Sequence, residues 1–530
     1  MQKILSKLRK LLSCRQITSH HRLMTAIVMG LGLFNLFFGE VVPAGGGFGW
    51  DGVIYADITR NLPSLVGNGE LSSYYAKRIL PSCAVRGILS AVGSSFDNIN
   101  IVKGFRTYNL IILILATFIW KRIANGLSIN LVGRWVGFGA IFMNFNCSKA
   151  MLYLSVSTDP TALVLGLLIL MLYLEGRTSS LLVATIVGSF AWQIVSLCGA
   201  ILLLFPRNVQ APNIGDSGKE LYTATKAQLQ QCLRIGWVVI VVASICGIVI
   251  SLNLGLLLPL GRIVKASSTH GVDWVITRAG FWFAIILTGV PSILAAVTAI
   301  GMLMCSKSWL SKEFDRFWKS GLLSKVAAVV AIAAPAIVVH AISNPSIPNA
   351  TGVGGILGVM FFPPIGKVLL PLVGLAAFWG PMVLVLATRW GAFCREAQAL
   401  GLGFVAVIAL NLPLGLATEP RYVTLAWPFV VLGGVMVLER CETSKGFCWA
   451  FGVLTVLYGQ FWLKINLAPW VGGDYEGLQE FPKQVLFMHY GFWMSNWAYV
   501  GYLIAAVASL YWLNCTFGRH EYPSAQHLKG

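Results

Sequence analysis

The residues best suited to chemistry follow the first long apolar run of the chain. A glycine-rich segment, 45–49, leads directly to Trp50 and Asp51, and Tyr55 comes one helical turn later. A carboxylate held beside aromatic rings near a bilayer surface can take a proton from a hydroxyl group, so Asp51 is a candidate general base. Residues 53–62 predict a short surface helix. The alternative interpretation is that Asp51 caps the N-terminus of that helix.

The same segment continues with a second carboxylate and a cluster of basic and aromatic residues. Asp57 is either a substrate contact or a solvated partner of Arg60. Tyr75 and Arg78 follow, and Arg86 comes two turns later. Because arginine grips a phosphate through two parallel hydrogen bonds, the cluster predicts a phosphate-binding site. Ordinary anchoring to lipid headgroups is the alternative.

Two positions further along the chain add acidic and basic groups. Asp159 stands before Pro160, an arrangement typical of a helix start. Glu419, Arg421 and Tyr422 combine an acid, a base and an aromatic ring within four residues. They predict a second part of the substrate site, and a simple pair between Glu419 and Arg421 is the alternative.

Histidine and cysteine residues predict neither a metal site nor a disulfide framework. His340 and His489 have no neighbour at the spacing of metal ligands, and the 11 cysteines contain no CxxC pair. We therefore expect a reaction without a metal or another cofactor.

Composition indicates that lipid surrounds most of the chain. Of the 530 residues, 57% are hydrophobic and only 11% are charged, against roughly 25% charged in an ordinary soluble domain. Many apolar runs approach the roughly 20 residues that a membrane-spanning helix needs; the clearest are 24–38, 110–120, 162–174, 238–260, 281–304 and 499–513. We predict an all-α polytopic protein in which residues 1–530 form one transmembrane domain of about 12–14 helices.

The distribution of charge orients these helices. The 39 Lys and Arg exceed the 20 Asp and Glu, giving a net charge of +19, and basic residues collect in cytoplasmic loops of membrane proteins. This explanation needs no nucleic-acid partner. It puts both termini in the cytoplasm of a multi-pass protein of the inner (plasma) membrane. It also predicts a first extracytoplasmic loop at 43–106, a cytoplasmic loop at 206–234 and a cytoplasmic tail at 514–530. Residues 368–387 predict one crossing, and 179–205 predict two short helices meeting near 192–193.

The order of these short motifs resembles the GT-C superfamily of membrane glycosyltransferases. Within it, the chain is similar to bacterial mannosyltransferase-like proteins that depend on polyprenyl-phosphate sugars. Their elements Asp-Gly-x-x-Tyr and Tyr-x-x-Arg-Ile-Leu-Pro are matched here by 51–55 and 75–81. Asp159 with Pro160, and Arg421 with Tyr422, fit the same resemblance, which therefore extends over most of the chain.

The resemblance implies a reaction and a set of roles. Family members transfer a sugar, with inversion, from polyprenyl phosphate to an acceptor on the outer side of the membrane. Asp51 would deprotonate the acceptor hydroxyl. The departing phosphate would be neutralised by Arg78, Arg86 and Arg421. The remaining substrate-binding residues implied are Trp50, Tyr55, Asp57, Tyr75, Asp159, Glu419 and Tyr422.

Departures from related enzymes refine this expectation. The first loop has neither an adjacent Asp-Glu pair nor an Asp-x-Asp metal pair. The chain also has no large C-terminal soluble domain to bind a protein acceptor. We therefore expect a lipid-linked glycan or glycolipid as acceptor, and a role in polysaccharide biosynthesis of the cell envelope.

Three other classes of protein stay open at this point. A transporter or flippase of a lipid-linked or anionic substrate would need ionisable residues within the membrane and related halves. A polysaccharide polymerase or ligase of another fold would carry its key residues in a large late outer loop, whereas the longest outer segment here is the first. A non-catalytic membrane protein of envelope assembly could retain the same motifs.

Overall fold

The computed structural model describes most of the chain as helix. The residues described are 2–207, 290–304, 307–319, 321–347, 369–416, 419–441, 443–466 and 496–517. Every named element in these ranges is helical, which confirms the all-α prediction. The predicted helix 238–260, much of 281–304, the loop 206–234 beyond residue 207 and most of the tail 514–530 lie outside the described residues.

Ten α-helices lie in the first described range. They are α1 (Gln2–Phe38), α2 (Asp51–Gly67), α3 (Ser73–Ala76), α4 (Ile79–Ala91), α5 (Asn98–Gly126), α6 (Leu131–Phe142), α7 (Met151–Tyr153), α8 (Asp159–Leu174), α9 (Thr178–Gly188) and α10 (Ile194–Leu204). A π-turn, Asn146–Ala150, precedes α7. Side chains of Ser72, Asp97 and Asn130 cap α3, α5 and α6, as polar residues at helix starts commonly do.

The later ranges contain nine more α-helices. They are α11 (Val290–Met304), α12 (Lys307–Lys319), α13 (Leu322–Ile342), α14 (Leu370–Trp379), α15 (Pro381–Ala399), α16 (Leu402–Asn411), α17 (Trp427–Arg440), α18 (Lys445–Gly459) and α19 (Asn496–Thr516). Two 3₁₀ turns, Pro413–Leu416 and Pro420–Val423, connect α16 to α17.

Four helical segments in the described part of the chain are long and apolar enough to cross a membrane. They are Ser19–Phe38, Asn98–Gly126, Leu322–Ile342 and Ala498–Thr516. Several shorter apolar helices pack beside them, α8 among them. Helix α8 contacts α5, α9 and α17, and nearly all its side chains are buried. A helix that is apolar on all sides belongs in the centre of a bundle.

The first predicted loop is folded. Helix α2 packs against α4 and α4 packs against α5, around a core formed by Phe48, Tyr55, Val85, Phe105 and Val339 among others. The backbone N–H of Asn344 donates to Leu71 O at 2.8 Å, and its side chain donates to Gly69 O at 2.9 Å. The segment after α13 thus holds this region, which we call the cap (residues 43–97), against the bundle.

Helix boundaries differ from several predictions. The surface helix predicted at 53–62 runs from Asp51 to Gly67 and continues through Pro63, which is exposed. Helix α5 begins at Asn98, before the predicted loop end at 106.

Two stretches are broken into helix pairs. The stretch 179–205 forms α9 and α10, as predicted, with the break at 189–193. The stretch 368–387, predicted as one crossing, is not one continuous helix, because Gly380 has a φ of 82° and separates α14 from α15. Pro381 then starts the second helix, as proline favours the first turn.

Candidate functional site

A glycine turn brings the predicted base to the bundle. Gly49 has a φ of 77°, and a Cβ atom built on it would lie 2.3 Å from Leu154 Cδ1. A Cβ on Gly52 would lie 2.8 Å from the carbonyl oxygen of Val156. Because no side chain fits at either position, the start of α2 lies directly against the segment that leads into α8.

The carboxylate of Asp51 is partly exposed at the first residue of α2. Trp50 is the N-cap residue, and its side chain does not cap the helix. Asp51 forms no hydrogen bond or ion pair with the residues that the structure describes. The interpretation of Asp51 as a hydrogen-bonding cap is therefore not supported. A negative charge in the first turn is still favoured by the helix dipole.

Arg78 is a buried cation without a carboxylate partner in the described structure. Only 8% of the residue is exposed. Its Nη1 donates to the Tyr55 hydroxyl at 3.2 Å, and its guanidinium lies 4.2 Å from the Tyr74 ring centroid and 5.3 Å from that of Trp192. Burial lowers the pKa of Arg78, but Tyr55, Tyr74 and Asp51 raise it by more than burial lowers it. The group therefore stays charged.

Arg421 is held by two acids. Its Nε lies 2.5 Å from Glu419 Oε2, and its Nη1 lies 3.5 Å from Asp159 Oδ2. The 3₁₀ turn that carries Arg421 is fixed by Trp379, whose indole N–H donates to Pro420 O at 3.0 Å. The pair predicted between Glu419 and Arg421 is therefore present, and Asp159 extends it to a triad.

The predicted site residues lie close enough together for the charge of one to shift the pKa of another. Burial lowers the pKa of Arg421, but the charges of Glu419, Asp159 and Asp51 raise it well above its ordinary value. Burial, with the charge of Asp51, raises the pKa of Tyr75, and burial raises that of Tyr55 to about 12. One cluster thus contains Asp51, Tyr55, Tyr74, Tyr75, Arg78, Asp159, Glu419, Arg421 and Tyr422.

Two predicted residues lie elsewhere. Asp57 accepts a hydrogen bond from Asn61 Nδ2 at 2.9 Å on the exposed side of α2. Arg86 Nη1 donates to the carbonyl oxygens of Thr59, at 2.8 Å, and Arg60, at 2.5 Å. The guanidinium of Arg86 therefore holds α4 to α2 inside the cap.

A cleft that is open to solvent, with a cavity volume of about 40 Å³, adjoins the charged cluster. Its lining residues are Trp50, Asn146, Ala150, Met151, Leu154, Asp159, Phe378 and Arg421. Asn146 was not among the residues that sequence reasoning selected for the site. Its sequence neighbours Asn144, Ser148 and Lys149 are also polar, so residue type alone does not set it apart.

A second polar contact lies at the end of α1. Lys149 Nζ lies 2.9 Å from Glu40 Oε2, and Glu40 also accepts from the backbone N–H groups of Ile465, at 2.8 Å, and Asn466, at 2.9 Å. Burial raises the pKa of Glu40, but these hydrogen bonds outweigh it and the pKa falls below its ordinary value. We call this set the Glu40 junction.

The arrangement can bind an anion and take up a proton. Arg78 supplies a buried positive charge, and Asp51 supplies a carboxylate without a hydrogen bond or ion pair to the described residues. Within the described ranges, no group of three His, Cys, Asp or Glu side chains could hold a metal ion. No family model matches the chain, and comparison with curated proteins and with solved structures also found no match.

Proposed function

We propose that this chain is an integral membrane glycosyltransferase. It moves a sugar from a polyprenyl-phosphate donor to a hydroxyl group of a lipid-linked glycan or glycolipid on the extracytoplasmic side. The observation that carries this proposal is that Asp51 and Arg78 interact electrostatically in the cluster that adjoins the cleft. Among the described residues, Asp51 has no hydrogen-bond or ion-pair partner, and the buried Arg78 has no carboxylate partner. A base and an anion site together are what the transfer requires.

Membrane embedding is supported by the outer surfaces of the long helices. Leu323 is 85% exposed, and Ile337 and Val329 on the same helix are also exposed. Phe38 on α1 and Ile504 on α19 are exposed in the same way. Contiguous apolar surface of this kind is unfavourable in water and favourable in lipid.

The two ends of α8 differ in a way that fits the proposed orientation. Asp159 begins the helix at the cleft, and Glu175 follows its last residue, where it pairs with Arg122 and Arg177 at 2.5 and 3.1 Å. The 16 residues of the helix span about 24 Å. The cleft and this basic patch therefore lie near opposite ends of the bundle, as an outer site and an inner, positively charged face would.

The proposed chemistry assigns a step to each group. Asp51 takes the proton of the acceptor hydroxyl, whose oxygen forms a bond to the anomeric carbon of the donor sugar. The bond from that carbon to the phosphate oxygen breaks, and polyprenyl phosphate departs with the electron pair. Attack opposite to the leaving group inverts the anomeric configuration. Arg78 stabilises the charge that develops on the phosphate.

Arg421 receives a different role from the one that the resemblance implies. Its guanidinium already contacts Glu419 and Asp159, so much of its charge is balanced. We assign it to holding these two carboxylates at the rim of the cleft. Arg78 then remains as the main phosphate-binding group.

The test of this function uses the purified chain in lipid nanodiscs. A panel of polyprenyl-phosphate sugars is supplied with a bacterial glycolipid extract, and released polyprenyl phosphate is measured. We expect release that depends on the extract, and a product whose anomeric configuration by NMR is inverted. A mock purification from cells lacking the chain controls for contaminating enzymes. Release from none of the donors, or a product with retained configuration, would contradict the proposal.

A further inference from the structure

Two polar side chains that line the cleft are buried without satisfying all their hydrogen bonds. Asn146 is 2% exposed and its Nδ2 has no hydrogen-bond partner in the described structure. Asp159 is 5% exposed, and although its Oδ2 lies near Arg421, its Oδ1 has no hydrogen-bond partner there either. A buried unsatisfied polar atom costs about 1–3 kcal/mol, so such groups call for a specific explanation.

The π-turn that carries Asn146 is firmly held. Ser148 Oγ lies 2.7 Å from the carbonyl oxygens of both Asn144 and Gly459, to which its one O–H can donate, and Lys149 pairs with Glu40. Single π-turns are frequently found at functional sites, because the extra residue redirects a side chain. These contacts hold the π-turn from which the Asn146 side chain extends.

Asn144 provides the contrast. Its Nδ2 donates to the carbonyl oxygens of Ala140, at 2.8 Å, and Ile141, at 2.9 Å, and its Oδ1 accepts from the backbone N–H of Cys147 at 3.0 Å. This amide is fully used by the fold. The side-chain amide of Asn146, two residues later, forms no hydrogen bond with the described part of the chain, and the residue lines the cleft.

The chemistry of the lining indicates the class of ligand. Asn146 offers an N–H donor and Asp159 offers an acceptor, and a hydroxyl group can accept from the first and donate to the second. Trp50 and Phe378 add aromatic side chains to the same lining. A few placed polar groups among apolar and aromatic walls are typical of small-molecule sites, and a sugar has both hydroxyl groups and apolar C–H faces.

We propose that Asn146 and Asp159 form a hydroxyl-binding pair for a sugar ring in this cleft. The inference rests on the proposed function and deepens it by naming the residues that recognise the sugar. The ring could belong to the donor or to the glycolipid acceptor, and both present the same chemistry. Asn146 acts as a specificity-determining residue, separate from the base and from the phosphate-binding arginine.

The test measures binding instead of turnover. Affinities of the full chain in nanodiscs are measured for polyprenyl-phosphate mannose, polyprenyl-phosphate glucose, sugar-free polyprenyl phosphate and a purified glycolipid, with wild type and Asn146→Leu. We expect the variant to lose about tenfold in affinity for a sugar-bearing ligand, with no loss for sugar-free polyprenyl phosphate. Loss on the phosphate-linked sugars identifies the donor ring, and loss on the glycolipid identifies the acceptor ring.

The unfolding temperature distinguishes a binding role from a structural one, because removal of a structural hydrogen bond would lower it. Because the Nδ2 of Asn146 has no hydrogen-bond partner among the described residues, Asn146→Leu should unfold at the wild-type temperature or above it, whereas Asn144→Leu should unfold at a lower temperature. Unchanged affinity for every ligand, or equal loss with and without the sugar, would overturn the inference.

The two proposals can fail separately. Turnover that does not depend on Asn146 would overturn this pair alone. Sugar-dependent binding without transfer would overturn the proposed reaction and leave the pair in place.

Discussion

At the scale of single residues, the proposed reaction depends on which charged groups are paired. Arg421 and Glu419 neutralise each other, whereas Arg78 is surrounded by aromatic rings and a tyrosine hydroxyl. A buried cation without a carboxylate is costly, and an anionic ligand would offset that cost. Loss of the charge of Arg78 should therefore have the most direct effect on the interaction with the donor.

Substitution of Arg78 tests this assignment. We expect Arg78→Gln to lower kcat/KM for the donor by about 10- to 100-fold, the range for removing a charge-assisted hydrogen bond. Arg78→Lys should restore little, because lysine lacks the planar fork of arginine. The measurement is steady-state kinetics with varied donor.

Arg86→Gln is the matched control for that experiment. Its guanidinium binds backbone carbonyls of α2, so we expect a lower unfolding temperature and a kcat/KM near that of the wild type for the folded fraction. A donor effect that is as large in Arg86→Gln as in Arg78→Gln would contradict the special role of Arg78.

Only some of these residues could be predicted from the sequence. Asp51, Arg78 and Arg421 could be selected because charged residues beside aromatic residues are rare in so apolar a chain. Asn146 was not selected, because its value comes from a missing hydrogen bond, which only the packing of the π-turn reveals. The position of Arg86 inside the cap likewise depends on contacts between helices.

At the scale of elements, the Glu40 junction connects three parts of the chain. Glu40 follows α1, Lys149 belongs to the π-turn, and Ile465 follows α18. The junction supports the π-turn that presents Asn146 to the cleft. Its strength should therefore influence both stability and the geometry of the cleft.

The pKa of Glu40 gives this junction a defined pH dependence. Because the folded-state pKa lies below the ordinary value of about 4.5, the stabilisation is fully present above pH ~4.5 and is lost as the pH falls through the folded pKa. We expect Glu40→Gln to lower the unfolding temperature by several degrees at pH 7, with a smaller difference from wild type near pH 4. Thermal unfolding in detergent across this range is the measurement.

Glu70→Gln serves as the control, since Glu70 is exposed on the cap. It should follow the wild-type pH profile throughout. A Glu40→Gln variant whose difference from the wild type is the same at pH 7 and pH 4 would show that the carboxylate of Glu40 does not contribute in the ionised form.

Elements were predicted well where local rules dominate. The start of α8 at Asp159 and Pro160, and the paired helices α9 and α10, follow from the sequence. The break at Gly380 was missed because the apolar residues on both sides of it predict one continuous helix, although Gly-Pro at 380–381 is a local turn signal. The packing of the cap against α5 and α13 also required tertiary contacts.

At the scale of the whole molecule, the proposal requires opposite ends to face opposite sides of a membrane. The cap lies beside the cleft, whereas α12 lies at the other end of α8, where Phe205 contacts Phe314 and Phe317. Helix α12 carries basic residues on an amphipathic pattern, which suits a cytoplasmic membrane surface. The net charge of +19 agrees with this assignment without fixing it.

Side-specific labelling tests the orientation. In a background whose native cysteines are replaced by serine, Ala91→Cys at the end of α4 should react with a membrane-impermeant maleimide on intact cells. Lys312→Cys on α12 should react only after permeabilisation. Both positions are exposed, so accessibility within the fold is matched. Labelling of both from the same side would contradict the two-sided arrangement.

The rate of the chemical step with and without Asp51 tests the central claim most directly. Single-turnover transfer at saturating donor is compared for the wild type, Asp51→Asn and Asp57→Asn, each with its unfolding temperature measured. Loss of a general base costs roughly 10²–10⁴-fold, so we expect a fall of at least about 100-fold for Asp51→Asn. Asp57→Asn, on the same helix but bonded to Asn61, should stay near the wild-type rate. A folded Asp51→Asn protein that transfers sugar at the wild-type rate would contradict the account.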